Sequence, residues 1–289
     1  MTRSLKLAFA AVLVLLGIQA CLAKEPAVLR LATTTSTYDS GLLDAILPAF
    51  EDAYKARVEV VAVGTGQALE MGRRGDADVV LVHDRAKEEA FVAGGYGLER
   101  RDVMFNDFVI VGPAEDPARI AGLEKASEAL ERIAQSASPF ESRGDDSGTH
   151  SREISLWRAI GEEPSSDNGW YFSIGQGMAE TLTFSDERKA YALTDRGTYL
   201  SMRDKLPNLE LLVGGSSVEA NPDPGLINPY GVIPVNPELH EAIHGELASE
   251  FVEWLLSVET QDAIAQFGVD RFGQPLFYPN SEAWREVNR

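Results

Sequence analysis

From Val28 onward the apolar positions change period repeatedly, from the runs of strands to the three-and-four spacing of helices. Val28 to Ala32 reads as a strand, and Leu42 to Tyr54 as a helix with Leu43, Ile46, Leu47 and Phe50 on one face. Val58 to Val63 is a strand of mostly β-branched residues, followed by a Gly64-Thr65-Gly66 turn and a helix from Gln67. Val79 to Val82 is continuously apolar, as strands covered on both faces tend to be. Phe105 to Val111 is another strand, closed by Gly112-Pro113. A helix from Leu123 to Ile133 opens a second region, with strands expected around Phe140, over Tyr191 to Leu193 and over Leu211 to Val213. The turn-rich Asn221-Pro222-Asp223-Pro224-Gly225 leads to a strand at Tyr230 to Val235, then to helices over Pro237 to Leu256 and Thr260 to Phe267. This alternation predicts an α/β protein with a mostly parallel sheet, divided near Gly112 and near Pro224.

The first residues follow a different pattern. Arg3 and Lys6 precede an apolar run from Leu7 to Ile18, and small residues follow at Ala20, Cys21 and Ala23. A basic start, an apolar centre and a small-residue exit predict a signal peptide over residues 1–23 and an exported, periplasmic or extracellular chain. Cys21 admits two readings: the lipidated first residue of an anchored protein, or a residue removed with the leader. As the chain's one cysteine it makes no internal disulfide.

Charge narrows the partners. The chain has 289 residues, 26 basic and 45 acidic, a net charge of −19; loss of residues 1–23 removes two cations and leaves −21. Such a balance argues against nucleic acid or an anionic membrane as the partner, but a small anion feels local donors more than distant screened charge.

Three strand-to-helix junctions carry the candidate chemistry. Thr33-Thr34-Thr35-Ser36-Thr37 places five hydroxyls where one cap would suffice. Gly64-Thr65-Gly66-Gln67 lacks the third glycine of a dinucleotide loop and by itself reads as a tight turn. Ser142-Arg143-Gly144-Asp145-Asp146-Ser147-Gly148-Thr149-His150 offers glycine-turned backbone amides, two hydroxyls and an arginine fork at a helix start. All three lie beyond the C-terminal ends of strands, the side on which open α/β sheets bind ligands. Neutral donors with one arginine suit a small oxyanion.

The two longer motifs, with Asp39-Ser40-Gly41-Leu42-Leu43, Leu193-Thr194-Asp195-Arg196-Gly197-Thr198-Tyr199 and Asn228-Pro229-Tyr230-Gly231-Val232-Ile233, resemble the tungstate-binding proteins of bacterial ABC importers, the TupA-like group. The resemblance spans essentially all the exported chain. It implies a two-lobe α/β periplasmic binding protein of type II, monomeric and without cofactor, with two crossover strands and the anion in the cleft between the lobes. Residues 27–112 and 225–289 are then lobe 1 and residues 113–224 lobe 2. The implied function is capture of an oxyanion, tungstate, and its delivery to an ABC permease, with no catalysis. Carried over by position, the pocket comprises Thr34, Thr35 and Ser36, then Thr65, then Arg143, Ser147, Gly148 and Thr149, with Thr194 from the fourth motif.

Physical chemistry leaves alternatives within that class. A fully deprotonated dianion only accepts hydrogen bonds, so a donor-only pocket suits tungstate, molybdate and sulfate alike. Phosphate keeps a proton near neutral pH, and Asp145 or Asp146 facing the ligand would recognise it. From another class, His240-Glu241-Ala242-Ile243-His244 fits the His-Glu-x-x-His pattern of zinc peptidases if it lies on a helix. Its charged neighbours and the want of an evident third ligand favour a plain surface helix. His83 and His150 are candidates for the cleft wall, and the four tryptophans for cores or interfaces.

Overall fold

The computed structural model describes residues 26–288; the leader and Cys21 lie outside the described residues. In chain order its elements are β1 (Ala27–Thr34), α1 (Thr35–Asp39), α2 (Leu42–Tyr54), β2 (Ala56–Val63), α3 (Thr65–Arg74), β3 (Val79–Val82), α4 (Arg85–Ala93) and β4 (Arg101–Pro113). Then come α5 (Ala126–Ser136), β5 (Phe140–Ser142), α6 (Gly148–Ala159), β6 (Tyr171–Ser173), α7 (Met178–Arg188), β7 (Ala192–Asp195), α8 (Arg196–Met202) and β8 (Leu209–Val213). The chain closes with β9 (Ile227–Pro234), α9 (Gly245–Leu256), α10 (Val258–Gln266), α11 (Val269–Phe272), β10 (Tyr278–Pro279) and α12 (Glu282–Val287).

The expected α/β layering is present, but the sheet is mixed and not mostly parallel. β1 pairs in parallel with β2 and β3, whereas β9 runs antiparallel to β3 and to β4. β4 is long enough to serve two sets of partners. Its residues Arg101 to Asp107 pair with β9, and Phe108 to Pro113 pair with β7 and β8. The change falls between Asp107 and Phe108, so β4 and β9 are the strands that join two α/β lobes.

Alternation within single strands builds a core on each face of each sheet. In lobe 1, Val79 and Leu81 join the cluster around Leu31, Phe50 and Phe251, while Val80 and Val82 point the other way to Phe91 and Ile233. In lobe 2, Phe108 and Ile110 pack with Trp157 and Tyr191, and Val109 and Val111 with Leu182 and Tyr199. Contiguous apolar runs therefore mark strands with helices on both sides.

One expected helix is shorter than its sequence pattern suggests. Residues 237–244 are turns, and α9 begins at Gly245. Asp78, buried against Arg30, accepts the His244 N–H at 2.9 Å, and Pro237 sits against Gly245. His240 donates from Nε2 to the Arg73 carbonyl at 2.9 Å. His240, Glu241 and His244 thus lack the helix that would align them, and no cluster of metal-ligating side chains occurs among the described residues. The zinc-peptidase reading is discarded.

Where β4 changes partners a buried ion pair holds the lobe junction. Arg196, first residue of α8, donates to both carboxylate oxygens of Asp107 (2.8 and 2.6 Å) and to the Gly214 and Gly215 carbonyls (2.6 and 3.0 Å). Asn221 adds a bond to Asp107 at 2.8 Å.

Candidate functional site

The three junctions read from the sequence converge on one cavity between the lobes. Thr35, Gly64, Gly66 and Gln67 line it from lobe 1, and Arg143, Asp145, Asp146 and Gly175 to Gly177 from lobe 2; its volume is about 350 Å³. A wider groove of about 540 Å³ on lobe 2, lined by Phe172, Phe184 and Arg188 among others, shares only Gln176 with it and presents no comparable set of donors.

On the lobe 1 side the hydroxyl run divides its labour. Thr33 donates to the Leu81 carbonyl at 2.7 Å and belongs to the fold. Thr34 caps α1, accepting the Thr37 N–H at 3.3 Å, and its hydroxyl also meets those of Thr37 (2.6 Å) and Ser36 (3.2 Å). Thr35 is left facing the cavity. At the next junction Thr65 is fully buried and its hydroxyl has no partner. A Cβ added at Gly64 or Gly66 would meet nothing within 4 Å, so both glycines keep cleft space open.

On the lobe 2 side Arg143 is 3% exposed and donates from Nη2 to Asp145 at 2.5 Å, while its Nε has no partner. Asp145 also accepts the Ser147 N–H at 3.2 Å. Asp146, at φ +57°, turns its carboxylate to solvent and gives its N–H to His150 Nδ1 at 3.0 Å. Ser147 caps α6 through the His150 N–H, and Thr149 is buried with its hydroxyl unpartnered. α6 thus starts directly behind the cavity-lining Arg143–Asp146 loop, with a capped end, an unpartnered Thr149 hydroxyl and the partial positive charge of its dipole; Ser147, Gly148 and Thr149 do not themselves line the cavity. Gly144 sits at φ +61°, where an added Cβ would collide with Ser173.

Sequence reading missed the β6–α7 loop. The Gly175 and Ile174 amides donate to the Arg143 and Ser142 carbonyls (2.7 and 2.9 Å), laying Gly175-Gln176-Gly177 alongside the arginine loop. Its signal was a Gly-x-Gly before a helix, the pattern of Gly64 to Gly66, without the hydroxyls. Gln67, the last residue of the second junction, also lines the cavity. Thr194 stands apart from the cavity: fully buried on β7, it donates to the Asp195 carbonyl at 3.1 Å. Gly148 lies on the far side of the same loop against His83.

Electrostatics follow from this geometry. His83 is held neutral, its pKa lowered to about 4 by burial and by the Arg143 cation. His150 is lowered by burial, opposed by Asp146 and Asp145. Asp39 is raised by burial and by Glu180, with Arg143 pulling it down. Buried donors left unpaired cost roughly 1–3 kcal/mol each. Here they are Thr65 Oγ1 on the second junction and Arg143 Nε and Thr149 Oγ1, both on the third, beside Ser142 Oγ at the start of that junction.

Comparison with known proteins gives the family and the fold. Residues 23–259 match the model of the PBP superfamily domain. The tungstate-binding protein TupA of Peptoclostridium acidaminophilum is 50% identical over 254 residues, covering 87% of this chain and 85% of the relative. The chain belongs to the TupA family of the PBP superfamily. Among solved TupA-family structures, the tungstate-binding TupA from Desulfovibrio alaskensis G20 shares 44% identity at a TM-score of 0.75, covering 89% of this chain and 100% of that one. The tungstate ABC transporter structure from Geobacter sulfurreducens shares 45% at a TM-score of 0.74, covering 83% and 98%. The fold is therefore the two-lobe periplasmic binding protein fold. Among the described residues no helix is long and apolar enough to cross a membrane.

Proposed function

We propose that this chain captures tungstate in the cleft between its lobes, outside the cytoplasm, and passes it to the permease of an ABC importer. The observation that carries the reading is the set of three buried, unpartnered donors, Thr65 Oγ1, Arg143 Nε and Thr149 Oγ1. A tetrahedral dianion offers acceptors on every side and would satisfy donors arriving from both lobes. The ligand-binding set is Thr35, Thr65, Arg143 and Thr149, with Ser147, Gly148 and Gly177 shaping the loops and Thr34 and Ser36 acting behind them. Thr194, engaged with the Asp195 carbonyl, is left out.

The carboxylates favour a dianion over a protonated anion. Both line the cavity, but Asp145 is already engaged by Arg143 and the Ser147 amide and Asp146 sits at the solvent-exposed rim, so neither is a buried acceptor held for a phosphate proton. Molybdate has the same shape and charge, so selectivity between the two metals rests on small differences of cavity size. Relatives whose names include tungstate binding and an ABC transporter support the transport role. Cys21, outside the described residues, stays the candidate lipid anchor, and the working unit is a monomer.

Thermal shift on protein dialysed free of anions, with tungstate, molybdate, sulfate and phosphate, tests the reading. A ligand at a hundred times its Kd adds about 2.7 kcal/mol of stability. The expected result is a shift with micromolar tungstate and little with sulfate or phosphate. A response to phosphate alone, or to none of the four, overturns it.

A further inference from the structure

His83 is a buried titratable side chain to which the oxyanion reading gives no task. It directly follows β3, is 7% exposed and touches three parts of the molecule. Its Nε2 lies 3.4 Å from Ser36 Oγ in the first ligand loop. Its Nδ1 lies 3.2 Å from Asn228 Oδ1 on the crossing strand β9. The ring leans on Tyr230, centroids 4.7 Å apart, and its Cε1 would be 2.6 Å from a Cβ at Gly148, the first residue of α6.

Donor and acceptor chemistry gives this arrangement a direction. Asn228 donates from Nδ2 to Asn106 Oδ1 at 2.8 Å, which turns its amide oxygen to the ring. That oxygen only accepts, so His83 Nδ1 carries the proton and Nε2 presents a lone pair. Ser36 must then give its hydroxyl proton to His83. Its oxygen is free to accept from Thr34 at 3.2 Å, and Thr34 in turn accepts from Thr37 at 2.6 Å. Five hydrogen bonds thus run one way, from Thr37 through Thr34, Ser36, His83 and Asn228 to Asn106. Burial and the facing Arg143 keep the ring neutral, opposed by the Asn228 hydrogen bond and then by Asp84, so the proton order holds at neutral pH.

We propose that His83 is a positioning residue of the oxyanion site: it takes the Ser36 hydroxyl proton and ties the Thr34–Ser36 turn to the crossing strands β4 and β9. Two consequences follow. The hydroxyl protons of Thr34 and Ser36 are engaged inside the protein, so of that trio Thr35 alone offers its hydroxyl to the ligand. The turn is also anchored where the lobes join, so the loop's geometry is coupled to that of the crossing strands. This inference rests on the oxyanion reading for its ligand, but the relay itself does not need one.

Calorimetric titration with tungstate on the full protein separates hydrogen bonding from packing. His83→Phe keeps the ring's bulk against Tyr230 but has no nitrogen, and it is expected to weaken binding about tenfold or more. His83→Gln supplies an acceptor oxygen for Ser36 and is expected to recover to within about threefold of the original. Ser36→Ala added to His83→Phe should change little further, because both remove one interaction. Binding by His83→Phe within twofold of the original, or losses that multiply in the double variant, overturns the proposal. The imidazole nitrogen-15 shifts of the ligand-free protein give a readout independent of variants at His83. A protonated Nδ1, with an Nε2 signal that moves in Ser36→Ala, supports the relay; the opposite tautomer overturns it even if tungstate binds. A protein that ignores tungstate yet shows the expected tautomer instead removes the oxyanion reading, and with it any role of His83 toward that ligand.

Discussion

Two arginines are buried where the lobes meet, and they differ in what their guanidinium groups still have to offer. Arg196 is 2% exposed and places Nε, Nη1 and Nη2 on Asp107 and two carbonyls. Arg143 is 3% exposed, bonds Asp145 through Nη2 and leaves Nε without a partner. Each lies in a motif that resembles the same family, and sequence reading put Arg143 but not Arg196 in the pocket without a structural reason to separate them. Donor accounting separates them. A guanidinium whose donors are matched to the fold holds structure, and one with a donor left over at a cleft awaits something from outside.

The largest effect should come from breaking the saturated member. Arg196→Leu leaves Asp107 buried with only Asn221 as side-chain donor, and removing one partner of such a pair costs about 3–5 kcal/mol. Urea unfolding of the ligand-free variant measures it. A variant that keeps its stability but loses tungstate binding would reverse the roles assigned to the two arginines.

A second test extends the same accounting to a buried carboxyl. Glu153 on α6 is 2% exposed, accepts from Tyr171 at 2.7 Å and Trp157 at 3.2 Å, and has no salt-bridge partner. Burial pushes its pKa from 4.5 to about 7. The folded protein therefore keeps this proton at pH values where the unfolded chain has lost it, so stability falls as pH rises from about 4.5 through 7. The full loss is on the order of 3 kcal/mol. Glu88, also raised to about 7 by burial, adds the same sign. His83, lowered to about 4, has the opposite sign: stability falls as pH drops from 6.5 toward 4. On these three groups unfolding measured from pH 4 to 8 should be hardest near about pH 4–4.5, above which the two glutamates outweigh the histidine, and Glu153→Gln should flatten the alkaline arm. An unchanged alkaline arm means that Glu153 is ionised in the fold.

Arg143→Gln is the counterpart of the first variant. It should lower tungstate affinity by roughly 1.5–3 kcal/mol, about ten- to a hundredfold, with a smaller change in ligand-free stability. Unchanged affinity would erase the contrast between the two arginines.

What could be read in the sequence depended on whether the cause was local. The run Val79 to Val82 announced a strand covered on both faces and Phe105 to Val111 a strand, and both strands pack apolar clusters on their two faces. Strand direction was not legible, because β9 meets β3 and β4 only after the chain returns from the second lobe. The start of α9 was missed for a similar reason: the carboxylate that takes the His244 amide belongs to Asp78, 166 residues earlier. Hydroxyl clustering exposed two of the four cleft loops, and Gly64 to Gln67 joined them through its strand-to-helix position and the family resemblance. The fourth, Gly175 to Gly177, is placed by bonds to Ser142 and Arg143 carbonyls that no local pattern encodes. Nor could the sequence say which hydroxyls face the cleft, since Thr33, Thr34 and Thr35 differ only in where the strand ends and the turn begins.

The finest test of donor accounting uses Thr65, whose hydroxyl is fully buried and unpartnered at the start of α3. Thr65→Val keeps the branched shape and removes the hydroxyl. If that group waits for a ligand, its desolvation is a cost carried by the ligand-free protein, and the variant should gain about 1 kcal/mol of stability. The same change should weaken tungstate binding by about 1.5 kcal/mol, since a hydrogen bond to a charged acceptor is lost. Opposite signs in the two measurements are the signature, because a hydroxyl serving the fold would lower stability when removed. Urea unfolding without anion and titration with tungstate, on the same preparation, give both numbers. A stability loss paired with unchanged affinity would move Thr65 to the side of Arg196 and leave Arg143 and Thr149 as the cleft's unmatched donors.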